Sequence, residues 1–330
     1  MIILPNNLAA TLNDSQVPHQ LAHQIATYVA VFVVAFLLVA ICRILITRLR
    51  HHKFKPRQLI YDGLIGACII LLAYLGGSYV YQQNMLGVKT AILKPVQQHE
   101  RQVAAKKASS STISRATIRK MVMRNAAKGF EKQGFVSIPS RNILLPIYND
   151  AYSNAGLNLG ADYANRSSQD PDGTKIPVMG QGNYGLAAHN FNDGVTGFSG
   201  LQQVINQNAP YISNGQLKGS SWLNGTSVLL ANNKGLYQYE ITGQDTVKNT
   251  DVSVLDPTKN AQLTIISCLF PSTQYRIITH ADLKHTYTWK NAPQSVVSRF
   301  NLQVYNTNAR VSWWNPGVEE GANGDQGGTK

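Results

Sequence analysis

The sequence predicts an all-β domain, a closed barrel or a sandwich of short strands, behind two apolar helices and a basic helical segment. Three observations lead there. From Gly134 to Leu283, short β-branched runs alternate with turns rich in Asn, Gly and Pro, the pattern of many short strands rather than of helices. Upstream, Ile25–Cys42 and Gly63–Tyr81 contain no charged residue, and each is close to the ~20 residues that cross a bilayer core. Between these regions the chain is basic, in keeping with a formal net charge of +13.

The N-terminal region gives an orientation. Residues 1–24 hold no Lys or Arg, whereas the loop between the apolar blocks holds Arg43, Arg48, Arg50, Lys53, Lys55 and Arg57. Basic loops stay on the cytoplasmic side, so the N-terminus and everything after Tyr81 are expected outside the cell. A cleavable signal peptide would start with basic residues, so both blocks are expected as retained spans. The expected divisions are an outer segment 1–24, spans 25–42 and 59–81 around a cytoplasmic loop 43–58, a stalk 82–133, a catalytic barrel 134–306 and a disordered tail 307–330.

The stalk carries eleven Lys and Arg from Lys89 to Lys132 against Glu100 and Glu131. The serine run after Ala108 divides it into two helical pieces. A solvated spacer is the plainer expectation, and contact with anionic lipid headgroups or wall polymers the sharper one. Nucleic acid is excluded as a partner, because this face is extracellular and no aromatics interleave the basic residues.

Strands are expected at Phe135–Pro139, Ile143–Tyr148, Tyr184–Ala188, Thr226–Asn232, Tyr237–Ile241 and Val252–Leu255, then at Gln262–Cys268 and from Tyr275. Residues 149–175 read as loops with a short helix, Phe198–Ile205 as one or two helical turns, and Ala292–Asn306 as a terminal helix. Gly180-Gln-Gly182-Asn-Tyr-Gly185 matches the dinucleotide fingerprint in form. It follows no strand and opens no helix, so its glycines are expected to turn the chain into the strand before His189.

The chemistry centres on Cys268. Of the three cysteines, Cys42 and Cys68 lie in the apolar stretches, which leaves Cys268 without an obvious disulfide partner. A free cysteine is by default a small buried hydrophobe. This one, however, ends a strand, and Leu269-Phe-Pro271 turns the chain after it. If the next strand pairs as a neighbour, Arg276 comes beside the thiol, a candidate oxyanion stabiliser beside a candidate nucleophile. His189, at the end of its own strand, is the candidate acid and base, and His280, four residues past Arg276, competes with it.

These residues also carry a resemblance. Leu263-Thr-Ile-Ile-Ser-Cys268 resembles the TLxTC signature of sortases, with Ile265 for Leu and Ser267 for Thr. Met179 to Asn190 is similar to the family's approach to its histidine, and Tyr275 to Leu283 to the strand that bears its arginine. The resemblance covers 135–283, with the motifs in the family's order. It implies an eight-stranded, membrane-anchored β-barrel transpeptidase that needs no cofactor. Such enzymes cleave an LPXTG-like sorting signal on a surface protein, form a thioacyl-enzyme and pass the acyl group to an amine, in housekeeping members the stem of lipid II. Cys268 would be the nucleophile, His189 the general acid and base, and Arg276 the group that holds substrate and oxyanion. Thr264, Ser267, Ala188, Leu255 and Ile266 are expected to contact substrate.

Ala188 stands where many sortases have Gly, and two spans replace the usual one. No lid motif precedes the barrel and no acidic cluster for calcium is apparent, so a housekeeping, class A role is expected ahead of a pilin polymerase with a lysine acceptor. A thiol hydrolase and a non-catalytic wall-binding barrel are the remaining alternatives.

Overall fold

The computed structural model describes residues 17–50, 55–82, 84–110, 113–125 and 127–309. Residues 1–16, 51–54 (with His51 and His52) and 310–330, the last within the expected disordered tail, lie outside the described residues. The chain divides into two compact units, Met1–Leu86 and Gly87–Lys330.

In the first unit, α1 (Val17–Leu49) and α2 (Pro56–Gln82) pair. Each holds a stretch long and apolar enough to cross a membrane, Ile25–Leu49 and Pro56–Tyr81. The helices overrun the apolar blocks because nothing breaks them there: Pro56 sits at a first helical position, where its missing N–H is harmless. The pair packs closely through small residues. Ala35 and Ala67 are buried, and a Cβ on Gly63 would stand 2.6 Å from the Phe36 ring. Arg43 Nε meets Asp62 Oδ2 at 2.8 Å.

The second unit is a closed eight-stranded barrel, as the sequence predicts. Its strands are β1 (Gly134–Ile138), β2 (Ile143–Tyr148), β3 (Ala161–Ala164), β4 (Asn183–Ala188), β7 (Ser227–Ala231), β8 (Leu236–Lys248), β9 (Gln262–Cys268) and β10 (Tyr275–Tyr287). They close in the order β1-β2-β3-β4-β9-β10-β8-β7. A two-stranded hairpin, β5 (Ile212–Ser213) with β6 (Gln216–Leu217), stands outside the barrel. Alternate residues such as Val136, Leu145, Leu186, Val228, Tyr239, Leu263 and Ile265 fill the interior, as the period of two along a strand requires.

Some local expectations are corrected. Val252–Leu255 is not a strand: Ser253–Leu255 is a 3-10 turn. The Asp251 carboxylate accepts from the Ser253 N–H and hydroxyl, and Asn183 Nδ2 donates to the carbonyls of Val254 and Asp256, so side chains take the bonds a ladder would need. β3 lies in the polar region 149–175, where no strand was expected. Its Asp162 lowers the apolar signal, and only α5 (Asn154–Leu157) matches the short helix expected there. Phe198–Ile205 shortens to a 3-10 turn, Ser199–Leu201, and the terminal helix to α6 (Gln294–Val297) followed by a 3-10 turn, Ser298–Phe300.

The stalk is corrected in a way that affects the domain. Its two helical pieces are α3 (Val88–Ser110) and α4 (Arg115–Met123). α4 is not a solvated spacer. Ile118, Met121 and Val122 are buried in a second core with Phe135, Leu144 and Leu229 on the outer wall and with Val297, Phe300 and Leu302 from the C-terminal segment. Ser114 caps the helix, and Arg115 Nη1 donates to the carbonyls of Trp289 at 3.1 Å and Ala292 at 2.5 Å. Arg119 and Lys120 lie on the solvent face of an amphipathic helix whose other face covers the barrel. Replacing Ile118 or Met121 by Ala is therefore expected to lower the stability of the barrel unit by about 2–5 kcal/mol, read from the urea midpoint. An equal unfolding curve would show α4 to be a spacer.

Candidate active site

β9 is the strand from which the site is built, because it pairs on both sides. With β10 it is antiparallel, and Cys268 is the direct partner of Arg276. With β4 it is parallel, in a register that runs from Asn183↔Gln262 to Ala187↔Ile266. Continued by two residues, that register brings His189 level with Cys268. Leu263 and Ile265 point into the barrel, so Thr264, Ile266 and Cys268 take the outer face. By the same alternation Gly185, Ala187 and His189 share that face, since Tyr184, Leu186 and Ala188 are interior. Positions 268, 276 and, by this continuation, 189 thus lie level on one face at one rim of the barrel.

Each is held by its local chain. Cys268 is a free, half-buried cysteine followed by a turn with a cis Phe270–Pro271 bond. Arg276 Nη1 donates to the carbonyls of Thr273 at 2.8 Å and Tyr275 at 3.1 Å, which ties the guanidinium to the turn between the two strands. The His189 ring packs edge-on against Phe191, with centroids 5.4 Å apart. Its carbonyl accepts from the Phe198 N–H at 2.8 Å. Gly197 lies against it with φ +60°, where a Cβ would stand 2.3 Å from the same oxygen, so both its conformation and its closeness require glycine.

Burial holds the His189 pKa below its ordinary value, because a charged imidazole loses hydration there. Burial thus favours the uncharged form of the ring. His280, its competitor, pairs with Thr264, four residues or roughly 13 Å from the level of Cys268. It meets Asp245 Oδ2 at 3.0 Å instead.

Burial also sorts the expected substrate contacts. Thr264 is fully buried and donates to Asn183 Oδ1 at 2.7 Å, so it supports β4 rather than a ligand. Ser267 and Ala188 are buried on the interior side. All three were expected to contact substrate, and all three are buried. Ile266 and Leu255 are half-buried. Ile266 shares the face of Cys268, and Leu255 lies over Gly185, where a Cβ would meet its Cδ2 at 2.3 Å. Gly180 and Gly182, with positive φ, turn the chain into β4. Asn190 and Gln202, which no motif singled out, lie buried beside the site. Their amides reach the turn after Cys268. A polar residue in a polar loop gives no sequence signal of burial.

Such an arrangement, a β-barrel with Cys, His and Arg gathered at one rim, defines a class of domain, and the comparisons with known proteins agree with it. Residues 136–284 match the family model described as Sortase domain. Among curated proteins the chain is similar to sortase A of Listeria monocytogenes, 30% identical over 154 residues, which are 46% of this chain and 57% of that protein. It is similar to sortase A of Streptococcus agalactiae, 28% identical over 177 residues, or 53% of this chain and 62% of that one. The match thus spans about six-tenths of either relative. Among solved structures, sortase A of Listeria monocytogenes aligns with 51% of this chain and 96% of its own at 26% identity and a TM-score of 0.39. Sortase C-3 of Streptococcus pneumoniae covers 62% and 89% at 17% identity and a TM-score of 0.37.

The lowered pKa of His189 has a measurable sign. As pH falls below about 6.5, the unfolded chain takes up a proton before the folded one does, so stability falls from there until the folded pKa is passed. His189→Gln is expected to lose less stability than the parent between pH 7.5 and pH 5, measured by urea unfolding. Parallel losses in the two proteins would mean that the imidazole is not desolvated.

Proposed function

We propose that this chain is a membrane-anchored sortase-type cysteine transpeptidase, with class A as its nearest character. The reading rests on one observation, the pairing of Cys268 with Arg276 in a register that also brings His189 level with the thiol. The curated relatives named sortase A point the same way.

In this reading the Cys268 thiolate attacks the carbonyl carbon of the threonine in an LPXTG-like sorting signal. Arg276 binds the oxygen as it gains negative charge. The bond from threonine to glycine breaks, and His189 delivers to the leaving amine the proton it took from the thiol. The acyl group remains on sulfur as a thioester. An incoming amine, for which the stem of a lipid II-type precursor is the proposed source, attacks the same carbon, gives its proton to His189 and releases the thiolate. Ile266 and Leu255, on the outer face, are proposed to line the path of the apolar part of the signal. α1 and α2 are proposed as two spans, with the loop between them cytoplasmic and the barrel outside. The basic residues of the linking segment would face anionic headgroups.

The test uses the full chain in detergent, because a barrel cut at Phe135 would lose α4. It is incubated with a fluorogenic LPXTG peptide and excess triglycine, and products are read by mass spectrometry. The expected product carries triglycine in place of the peptide's C-terminal part. Cys268→Ala abolishes it, and Arg276→Ala lowers kcat on the order of 10²–10³-fold, the range for losing an oxyanion donor. Cleavage to the free acid alone would make the protein a thiol hydrolase. Exchange that persists in Cys268→Ala would remove the proposed nucleophile.

A further inference from the structure

The two reacting residues stand just past the end of the ladder meant to align them. The β4–β9 pairing ends at Ala187↔Ile266, whereas the imidazole and the thiol belong to the positions two residues further on. No ladder bond of this pair fixes their separation.

Across the gap lies a network of two buried amides. Asn190, next in sequence to His189, is 4% exposed, and Gln202 is 2% exposed. Asn190 Nδ2 donates to the Cys268 carbonyl at 2.8 Å and to Gln202 Oε1 at 2.8 Å. Gln202 Oε1 also accepts from the Phe270 N–H at 3.1 Å. Gln202 Nε2 reaches the carbonyls of Phe270 at 2.6 Å, Val204 at 2.9 Å and Gln207 at 3.2 Å, two hydrogens shared among three acceptors. Asn190 Oδ1 accepts from the Asn192 N–H at 2.8 Å. Every polar atom of the two side chains is used, and three of the bonds end on backbone at Cys268 or Phe270, within two residues of the thiol. A buried polar network that is fully satisfied fixes one geometry of the chains it joins. An apolar pair of the same volume would fill the space without fixing the peptide plane after Cys268.

We propose that Asn190 and Gln202 are positioning residues, which set the separation and orientation of the Cys268 thiol and the His189 imidazole by clasping the turn after β9 to the residue after His189. Their effect on catalysis rests on the transpeptidase reading above; their effect on the thiol does not. Asn190 takes over where the β4–β9 ladder stops, and Gln202 holds both backbone groups of Phe270 so that the turn cannot swing away.

The experiment compares the full chain in detergent with Asn190→Ala, Asn190→Asp and Gln202→Ala. Asn190→Asp keeps the volume and removes the donor, so a cavity is not the cause of its effect. Three quantities are read below the melting temperature of each protein. These are kcat and KM with the LPXTG peptide and triglycine, the pH midpoint of Cys268 alkylation by iodoacetamide, and the melting temperature. Alkylation is followed on the Cys268 peptide by mass spectrometry, which separates it from Cys42 and Cys68. The expected result is a kcat lowered on the order of 10–100-fold with KM within about twofold, and an alkylation midpoint moved by about half a pH unit or more. Variants that melt earlier yet keep the parent kcat and midpoint would overturn the proposal and leave the amides as structural only. If the parent itself neither cleaves nor exchanges the peptide, the transpeptidase reading falls. A moved alkylation midpoint would then still support the clasp, and an unmoved one would overturn it.

Discussion

Strand β9 is hydrogen-bonded on both sides, parallel to β4 and antiparallel to β10, and the site depends on those two registers. A slip of one residue in either pairing would send a side chain to the other face of the sheet. With β10 slipped, Arg276 would no longer face Cys268. With β4 slipped, Leu186 or Ala188 would leave the core and His189 would turn into it. The apolar interior therefore guards the geometry of the site against a one-residue slip, which would take Leu186 or the pair Leu263 and Ile265 out of the core. Barrel closure strengthens this, since neither β4 nor β10 has a free edge along which to shift.

What was legible in the sequence follows from that arrangement. β9 announces itself through four apolar or β-branched residues, Leu263 to Ile266, and the proline in the turn after it. Cys268 stands out because the other two cysteines lie in the apolar blocks. Arg276 and His189 could be placed beside it because both lie at strand ends, and the family motifs name the same three. The outer-face contacts were harder. Thr264 reads as a polar neighbour of the thiol, but its hydroxyl is spent on Asn183. The alternation of faces that puts Ser267 on the interior side is invisible until it is known which residues of β9 are interior. The turn at Ser253 depends on side-chain bonds made by Asp251 and Asn183, which a pattern of hydropathy does not record.

The basic segment shows a different limit. Its charge is evident in composition, yet Ile118, Met121 and Val122 form an apolar stripe of only three residues on α4. A stripe that short is decided by what it packs on, here the outer wall of the barrel and the C-terminal turn. α3 is likewise more than a spacer. Burial lowers the Lys89 pKa while Asp193, in the loop after His189, favours its charged form. The segment between apolar helices and barrel thus contributes to the surroundings of the site as well as to its distance from α2 in sequence.

The central claim, that strand register brings positions 189, 268 and 276 to one level, can be tested without substrate. Adjacent strands at one level bring Cα atoms to about 4.5–5.5 Å, within the span a disulfide bridges. His189→Cys and Arg276→Cys would be made singly in the full chain, oxidised mildly and mapped by mass spectrometry after proteolysis. The account predicts that each new thiol forms its disulfide with Cys268. Free thiols at both positions, in protein that keeps the parent melting curve, would contradict the registers and with them the site.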